Sequence, residues 1–274
     1  MSGTLYIVAT PIGNLEDISL RALRILKEVD RIACEDTRQT GKLLNHYGIS
    51  KPLISFYEHN ERERSEELVG MLEAGQNIAL VSDAGTPLIA DPGYRLVRLA
   101  REKSITVTPI PGASAALAAL SASGLATDAF TFRGFLPPKS AQRRRMLETC
   151  GLSETTVFYE APHRILETLE DAQAVFGPRR RPIVVAREIT KLHEEFLAGT
   201  AEEIRLALAS RPAVKGEFVI LVGKGEAAPE VLTVPEAVDA LLREGVPRMD
   251  ALKQVARRYG LSKREVYKQV DERE

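Results

Sequence analysis

Five short apolar, β-branched runs recur along the first part of the chain, at residues 4–9, 31–34, 53–56, 77–82 and 106–110, each followed by a loop and a helical pattern. After the first run, for example, Leu20, Leu23 and Leu26 recur at helical spacing from about Ser19, and Ile25 widens their face. Strands that alternate with helices bury both faces of a parallel sheet, so the pattern predicts a doubly wound α/β domain from residue 1 to about 115. Such sheets bind ligands at the carboxyl ends of their strands. The chemistry is therefore sought in the loops that end the runs.

The richest of these loops is residues 81–93, Val-Ser-Asp-Ala-Gly-Thr-Pro-Leu-Ile-Ala-Asp-Pro-Gly. Its small residues let backbone groups approach a ligand, and Asp83 and Asp91 supply carboxylates. Asp91 before Pro92 also suits an N-cap followed by proline at the first helical position. Glu35-Asp36-Thr37-Arg38 ends the second run, either as a helix-capping turn or as a substrate contact or base. Ser114, at a helix start after Pro111-Gly112-Ala113, can cap that helix or touch a cofactor. The first loop, residues 10–17, has a single glycine and neither GxGxxG nor GK[ST], which argues against a dinucleotide fold and a P-loop.

A second α/β domain with a partly mixed sheet is expected from near Thr127, with strands at 130–134, 155–159, 183–186 and 216–222. Its loops carry Arg133, Lys139, Arg143, Arg144, Arg145, His163 and Arg164, which are either solvated helix faces or a set of phosphate holders, since arginine offers a forked donor set. Residues 224–235 read as a linker. Three amphipathic segments follow, at 235–244, 248–259 and 262–270, and the turn Tyr259-Gly260-Leu261-Ser262 between the last two resembles a helix-turn-helix. From Arg243 onward nine Lys/Arg face six Asp/Glu, equally compatible with nucleic-acid contact and with a packing or dimerisation module. The net charge of −1 confines any nucleic-acid binding to local patches. Cys34 and Cys150 form no metal-ligand spacing, the four histidines are scattered, and no apolar run is long enough to span a membrane. Without a signal peptide the expectation is a reducing cytoplasm, no structural metal and no membrane anchor. The residues alone give a two-domain α/β protein with an interdomain site facing a phosphorylated partner.

Seven segments then narrow the reading: residues 10–15 (TPIGNL), 35–38 (EDTR), 82–87 (SDAGTP), 111–115 (PGASA), 134–137 (GFLP), 158–164 (FYEAPHR) and 215–218 (KGEF). In this order they resemble the small-subunit ribosomal RNA methyltransferases of the tetrapyrrole-methylase-like, S-adenosylmethionine-dependent family, over nearly all of residues 4–222. The resemblance implies two αβα domains, 1–115 and 116–224, with the cofactor folded between them, and a linker with a C-terminal helical module at 225–274. It implies 2′-O-methylation of a cytidine ribose in the decoding region of small-subunit (16S) ribosomal RNA, a homodimer and no metal. Cofactor contacts carried over by position are Pro11, Val81, Ser82, Asp83, Ser114, Ala115, Phe158, Tyr159, Glu160, Glu217 and Phe218. Asp36 aligns with a carboxylate that acts as base in some relatives, so Glu35 or Asp36 is the expected proton acceptor, and Asp91 returns to its capping role. Arg38, Arg133, Lys139, Arg143 to Arg145, His163 and Arg164 are expected to position RNA phosphates. Two alternatives share the fold: a small-molecule tetrapyrrole methyltransferase, and a non-catalytic ribosome- or RNA-binding protein.

Overall fold

The computed structural model describes residues 2–177, 181–225 and 233–271. The chain divides into two compact units, residues 1–225 and 226–274.

The first sheet of the larger unit contains β1 (Thr4–Val8), β2 (Arg31–Cys34), β3 (Leu53–Ser55), β4 (Ile78–Val81) and β5 (Thr106–Ile110), all parallel, in the order β3-β2-β4-β1-β5. All four residues of β4 are buried, which is why its sequence is a continuous apolar run. Right-handed crossovers that first step one way along the sheet and then back must put successive helix pairs on opposite faces. Accordingly α1 (Leu20–Glu28) and α2 (Thr37–His46) bury Ala22, Ile25, Leu26 and Leu44 on one face. On the other, α3 (Glu61–Glu73) and α4 (Tyr94–Glu102) bury Leu68, Val69, Leu72, Leu96 and Ala100. The face of α1 differs from the expected one. Ser19 caps the helix by accepting from the Ala22 amide, and this phase leaves Leu20 86% exposed while Ala22 packs inward.

The second sheet holds β6 (Phe130–Phe135), β7 (Thr155–Glu160), β8 (Ile183–Arg187), β9 (Glu195–Gly199) and β10 (Phe218–Val222), in the order β6-β7-β10-β8-β9. Only the β6–β7 pair is parallel, so the sheet is mixed as expected, with β9 as an additional edge strand in a hairpin with β8. Strand alternation sorts its side chains. Phe218, Ile220 and Val222 face α6 (Ser140–Glu148), α7 (Ile165–Phe176) and α8 (Ala201–Ala209), whereas Val219 and Leu221 face α5 (Ala115–Ala122). Thus α5 follows a strand of the first sheet but packs its Ala116, Ala119 and Leu120 on the second, joined there by Ile12 from the loop after β1. Ala-rich α5 sits low on the sheet because its side chains are small, which is how the two sheets come close enough to share a cavity.

In the smaller unit, α9 (Val234–Arg243), α10 (Arg248–Tyr259) and α11 (Lys263–Asp271) enclose their own core of Val234, Val238, Leu252, Val255 and Val266. Gly260 stops α10 in the left-handed conformation at φ 66°, and Ser262 with Glu265 forms a reciprocal cap on α11. The helix-turn-helix reading of this segment therefore has its expected chemistry. No helix among the described residues is long and apolar enough to cross a membrane.

Candidate active site

The loops at the carboxyl ends of β1, β4 and β5 are stitched to one another. The Thr10 amide donates to the Gly85 carbonyl at 2.8 Å, and the Gly85 amide returns to Thr10 at 3.0 Å. The Thr10 hydroxyl donates to the Ser82 carbonyl at 3.1 Å, and the Thr86 hydroxyl reaches the Ala113 carbonyl at 3.1 Å. Within this frame Leu88 (φ 72°) and Ala90 (φ 68°) sit in the left-handed region that side chains normally avoid. Each costs of order 1–3 kcal/mol, which the surrounding bonds must offset. The loop ends at Gly93 (φ 133°), where an added Cβ would lie 2.8 Å from Leu80 Cδ2.

Between this frame and the second sheet lies a cavity of about 360 Å³, a size within the roughly 300–1,000 Å³ of small-molecule sites. Its first wall is built from Ile12, the residues 84–86 and 89–91, Ser114 and Ala115; its second from Phe135, residues 159–162, Ile189 and residues 217–219. The Tyr159 hydroxyl accepts from the Ala116 amide at 3.3 Å and ties the two walls at their seam, while Phe132 and Phe135 meet the Tyr159 ring edge-on at 4.9 and 5.6 Å.

Of the expected cofactor contacts, Ser114, Ala115, Tyr159, Glu160, Glu217 and Phe218 line the cavity. Pro11 is buried beside Ile12. Val81 and Ser82 instead wall a narrow crevice together with Glu35, Phe56 and Asp91. Asp83 accepts from the Asp36 amide at 3.1 Å, so it orders the loop after β2. Phe158 must be corrected. It is 0% exposed inside the core beneath α7, because alternation on β7 turns it away from the cavity that its neighbour Tyr159 faces.

The carboxylates divide by partner. Asp36 caps α2 through the Arg38 amide at 2.8 Å and holds the Arg38 guanidinium in a fork at 3.1 and 2.8 Å. The Arg38 hydrogen bonds lower its carboxyl to about pKa 2, which makes it a weak proton acceptor. Glu35 is shifted the other way, by partial burial and then by the charges of Asp83 and Asp36. Asp91 does not cap α4, contrary to expectation. That helix begins at Tyr94 behind Gly93, and the Glu61 carboxylate on α3 accepts from the Gly93 and Arg95 amides at 2.9 and 3.2 Å. Sequence reasoning first offered Asp91 as a ligand carboxylate and then returned it to a cap, since the acidic partner of the α4 terminus comes from Glu61, 32 residues before Gly93. Burial, and then the charge of Glu35, push Asp91 up to about pKa 6, partly offset by the Ser82 hydroxyl.

The basic set is also divided. Arg143 is corrected from phosphate holder to structural residue: it is 1% exposed and bonds Asp171 at 2.7 Å. Arg144 joins the same carboxylate at 2.6 Å but remains half-exposed, and Arg164 pairs with buried Glu160 at 2.6 Å. Arg133 donates to the Thr149 hydroxyl at 2.7 Å at the end of α6. Arg38, Lys139, Arg145 and His163 are exposed. Among the described residues no group of three or more His, Cys, Asp or Glu is placed to hold a metal ion.

The family model of Tetrapyrrole (Corrin/Porphyrin) Methylases matches residues 4–205. The chain is 51% identical over 272 residues to Ribosomal RNA small subunit methyltransferase I of Haemophilus influenzae, covering 97% of this chain and 96% of that protein. It is 49% identical over 273 residues to the protein of the same name from Halalkalibacterium halodurans, covering 97% and 93%. Among solved structures, a uroporphyrin-III C-methyl transferase from Thermus thermophilus complexed with S-adenyl homocysteine shares the fold at TM-score 0.54 and 19% identity, over 81% of this chain and 98% of that one.

Proposed function

The chain belongs to the tetrapyrrole methylase family, in its ribosomal RNA small subunit methyltransferase I branch, and from that premise we propose that it transfers a methyl group from S-adenosylmethionine to ribosomal RNA of the small subunit. The acceptor in this reading is the ribose 2′-hydroxyl of a cytidine in the decoding region. The observation that supports methylation of small-subunit ribosomal RNA is identity of about half the residues over 97% of the chain to proteins named Ribosomal RNA small subunit methyltransferase I.

The residues present fit the donor. Its sulfonium and ammonium groups are cationic, and the second wall of the cavity carries the carboxylates of Glu160 and Glu217. Ile12, Ile189 and Val219 offer apolar wall to the adenine and ribose, and Ser114 and Ala115 bring a helix start against them. When bound, the donor supplies an electrophilic methyl carbon, so the protein's task is alignment of the acceptor oxygen and removal of its proton. Ser82 and Asp83 support the floor through the loop bonds described above. Arg38, Lys139, Arg144, Arg145 and His163 are the RNA-facing set. A splayed-out nucleotide presenting its ribose to the cavity satisfies the access requirement for chemistry on a helical RNA.

Incubation with labelled S-adenosylmethionine and undermethylated small subunits is expected to label one cytidine ribose, detected as an alkali-resistant linkage. Label on a base, or none on RNA, refutes the reading. Asp36→Asn serves as a second test. With Arg38 released, RNA affinity is expected to fall roughly two- to fivefold, of the order of one exposed charge pair, while donor affinity is kept. A turnover loss of a hundredfold at unchanged RNA affinity would instead give Asp36 the proton-acceptor role.

A homodimer is part of the same proposal. Leu117 on α5 and Phe130 on the edge strand β6 stay 55% and 43% exposed, apolar side chains that a second copy can cover. Sedimentation equilibrium giving a monomer at micromolar concentration would exclude it. A ribosomal substrate places the reaction in the cytoplasm.

A further inference from the structure

We infer that the carboxylate of Asp91 accepts the hydroxyl proton of the RNA ribose during methyl transfer, an assignment that rests on the reaction proposed above. Three carboxylates line the cavity: Asp91, Glu160 and Glu217. Glu160 is fully engaged. One oxygen accepts from the Ala161 amide at 2.8 Å and from Arg164 at 2.6 Å, and the other from the Thr168 hydroxyl at 2.7 Å. Glu217 is bound to Lys191 at 2.9 Å. Asp91 has no such cation among the described residues, and it stands on the opposite wall from Tyr159, whose phenol feels its charge.

The second support is its placement. Asp91 follows Ala90, held at φ 68°, and precedes Pro92 and Gly93. The loop is fixed upstream by the Thr10–Gly85 pair and the Thr86–Ala113 bond, and downstream by Glu61 on the Gly93 amide. A base anchored at both ends needs little reorganisation when substrate arrives. The alternatives beyond the cavity are occupied, since Asp36 grips Arg38 and Asp83 takes the Asp36 amide. Glu35 shares the crevice under the cavity with Asp91.

The charged and titratable groups around Asp91 are Glu35 after β2, Asp83 and the Ser82 hydroxyl after β4, Glu61 on α3, Tyr159 and Glu160 on β7, and Glu217 before β10. Burial, and then the charges of Glu35 and Asp83 against the Ser82 hydroxyl, keep the carboxyl at about pKa 6, ionised at neutral pH and basic enough to hold a proton briefly. In the step itself, a lone pair of the 2′-oxygen forms the new O–C bond. The C–S bond breaks with its pair staying on sulfur as a neutral thioether, and the O–H proton passes to Asp91, which later releases it to water.

The test is single-turnover methyl transfer into undermethylated small subunits between pH 5 and 8.5, with donor affinity measured by calorimetry. Wild-type rate is expected to fall tenfold per pH unit below about 6. Asp91→Asn should lose a hundredfold or more at pH 8, show no such acid limb, and bind the donor within threefold of wild type. Asp91→Glu should restore the acid limb at a reduced rate. Folding is controlled by urea unfolding, in which Asp91→Asn should be no less stable than wild type because it removes one charge from a group of carboxylates. Asp91→Asn turnover within threefold of wild type, or a loss accounted for by donor affinity alone, overturns the assignment while leaving the reaction standing. Failure of the reaction itself shows in the wild-type arm, as donor binding without ribose label, and removes both.

Discussion

Asp171→Ala is expected to lower the free energy of unfolding by roughly 3–5 kcal/mol, the range for breaking a buried ion pair from one side. Asp171 lies at 4% side-chain exposure on α7 and receives Arg143 at 2.7 Å, Arg144 at 2.6 Å and the Ser140 hydroxyl at 2.9 Å, all from α6. Its loss strands the Arg143 guanidinium, itself 1% exposed, with only the Pro138 carbonyl at 3.3 Å and the distant Glu167 at 3.7 Å for company. Burial raises the Asp171 pKa, but the hydrogen bonds from Arg144, Ser140 and Arg143 outweigh it, and the carboxyl sits below the usual range. A depressed folded-state pKa means that the contribution is present at neutral pH and is lost as pH falls through about 3.9 toward the lower folded value. Urea unfolding at pH 7 and pH 3 checks both parts. A loss under 1 kcal/mol at pH 7 would show the pair to be dispensable, and a larger loss that persists unchanged at pH 3 would show that it does not come from the ionised carboxylate. The double variant Arg143→Met/Asp171→Leu is expected to recover much of the loss, because the charge is then no longer stranded.

Ala115→Trp is expected to weaken S-adenosylmethionine binding by a hundredfold or more, about 2.7 kcal/mol. Ala115 opens α5 at the cavity wall opposite Phe218 and Val219, and an indole there occupies a large part of the roughly 360 Å³ available. Leu117→Trp is the control, two residues along the helix at 55% exposure, and should leave donor affinity within twofold. Calorimetry with both variants decides the matter, and tight donor binding by Ala115→Trp would move the cofactor out of this cavity altogether.

The fold was largely legible because its signals are local. Short β-branched runs and the helical spacing between them locate nine of the strands, and Gly260 with Ser262 marks the turn of the C-terminal unit to the residue. The strand Glu195–Gly199 escaped because five residues with one glutamate and one glycine carry no alternation to read. In the candidate site, loop position pointed to Ser114, while the resemblance supplied Ala115, Tyr159, Glu160, Glu217 and Phe218, and all six line the cavity. What sequence could not give was the partner of each charge. Arg143 and Arg145 look alike two residues apart, yet helical phase buries the first against α7 and leaves the second in solvent. Asp91 looks like a cap until Glu61, distant in sequence, is seen to hold the amides it would have taken.

The position of β1 bears on how the chain is made. Its two neighbours, β4 and β5, are paired with it from residues 78–81 and 106–110, so neither exists when Thr4–Val8 leaves the ribosome. At roughly 5–20 residues per second, translation leaves that apolar strand without a partner for several seconds at least. The first sheet cannot close around its centre until Ile110 has emerged, and the surface on which α5 docks is incomplete until β10 has been added. The cavity is thus among the last features to form, and a nascent chain stalled before Phe218 holds a second wall that still lacks its central strand.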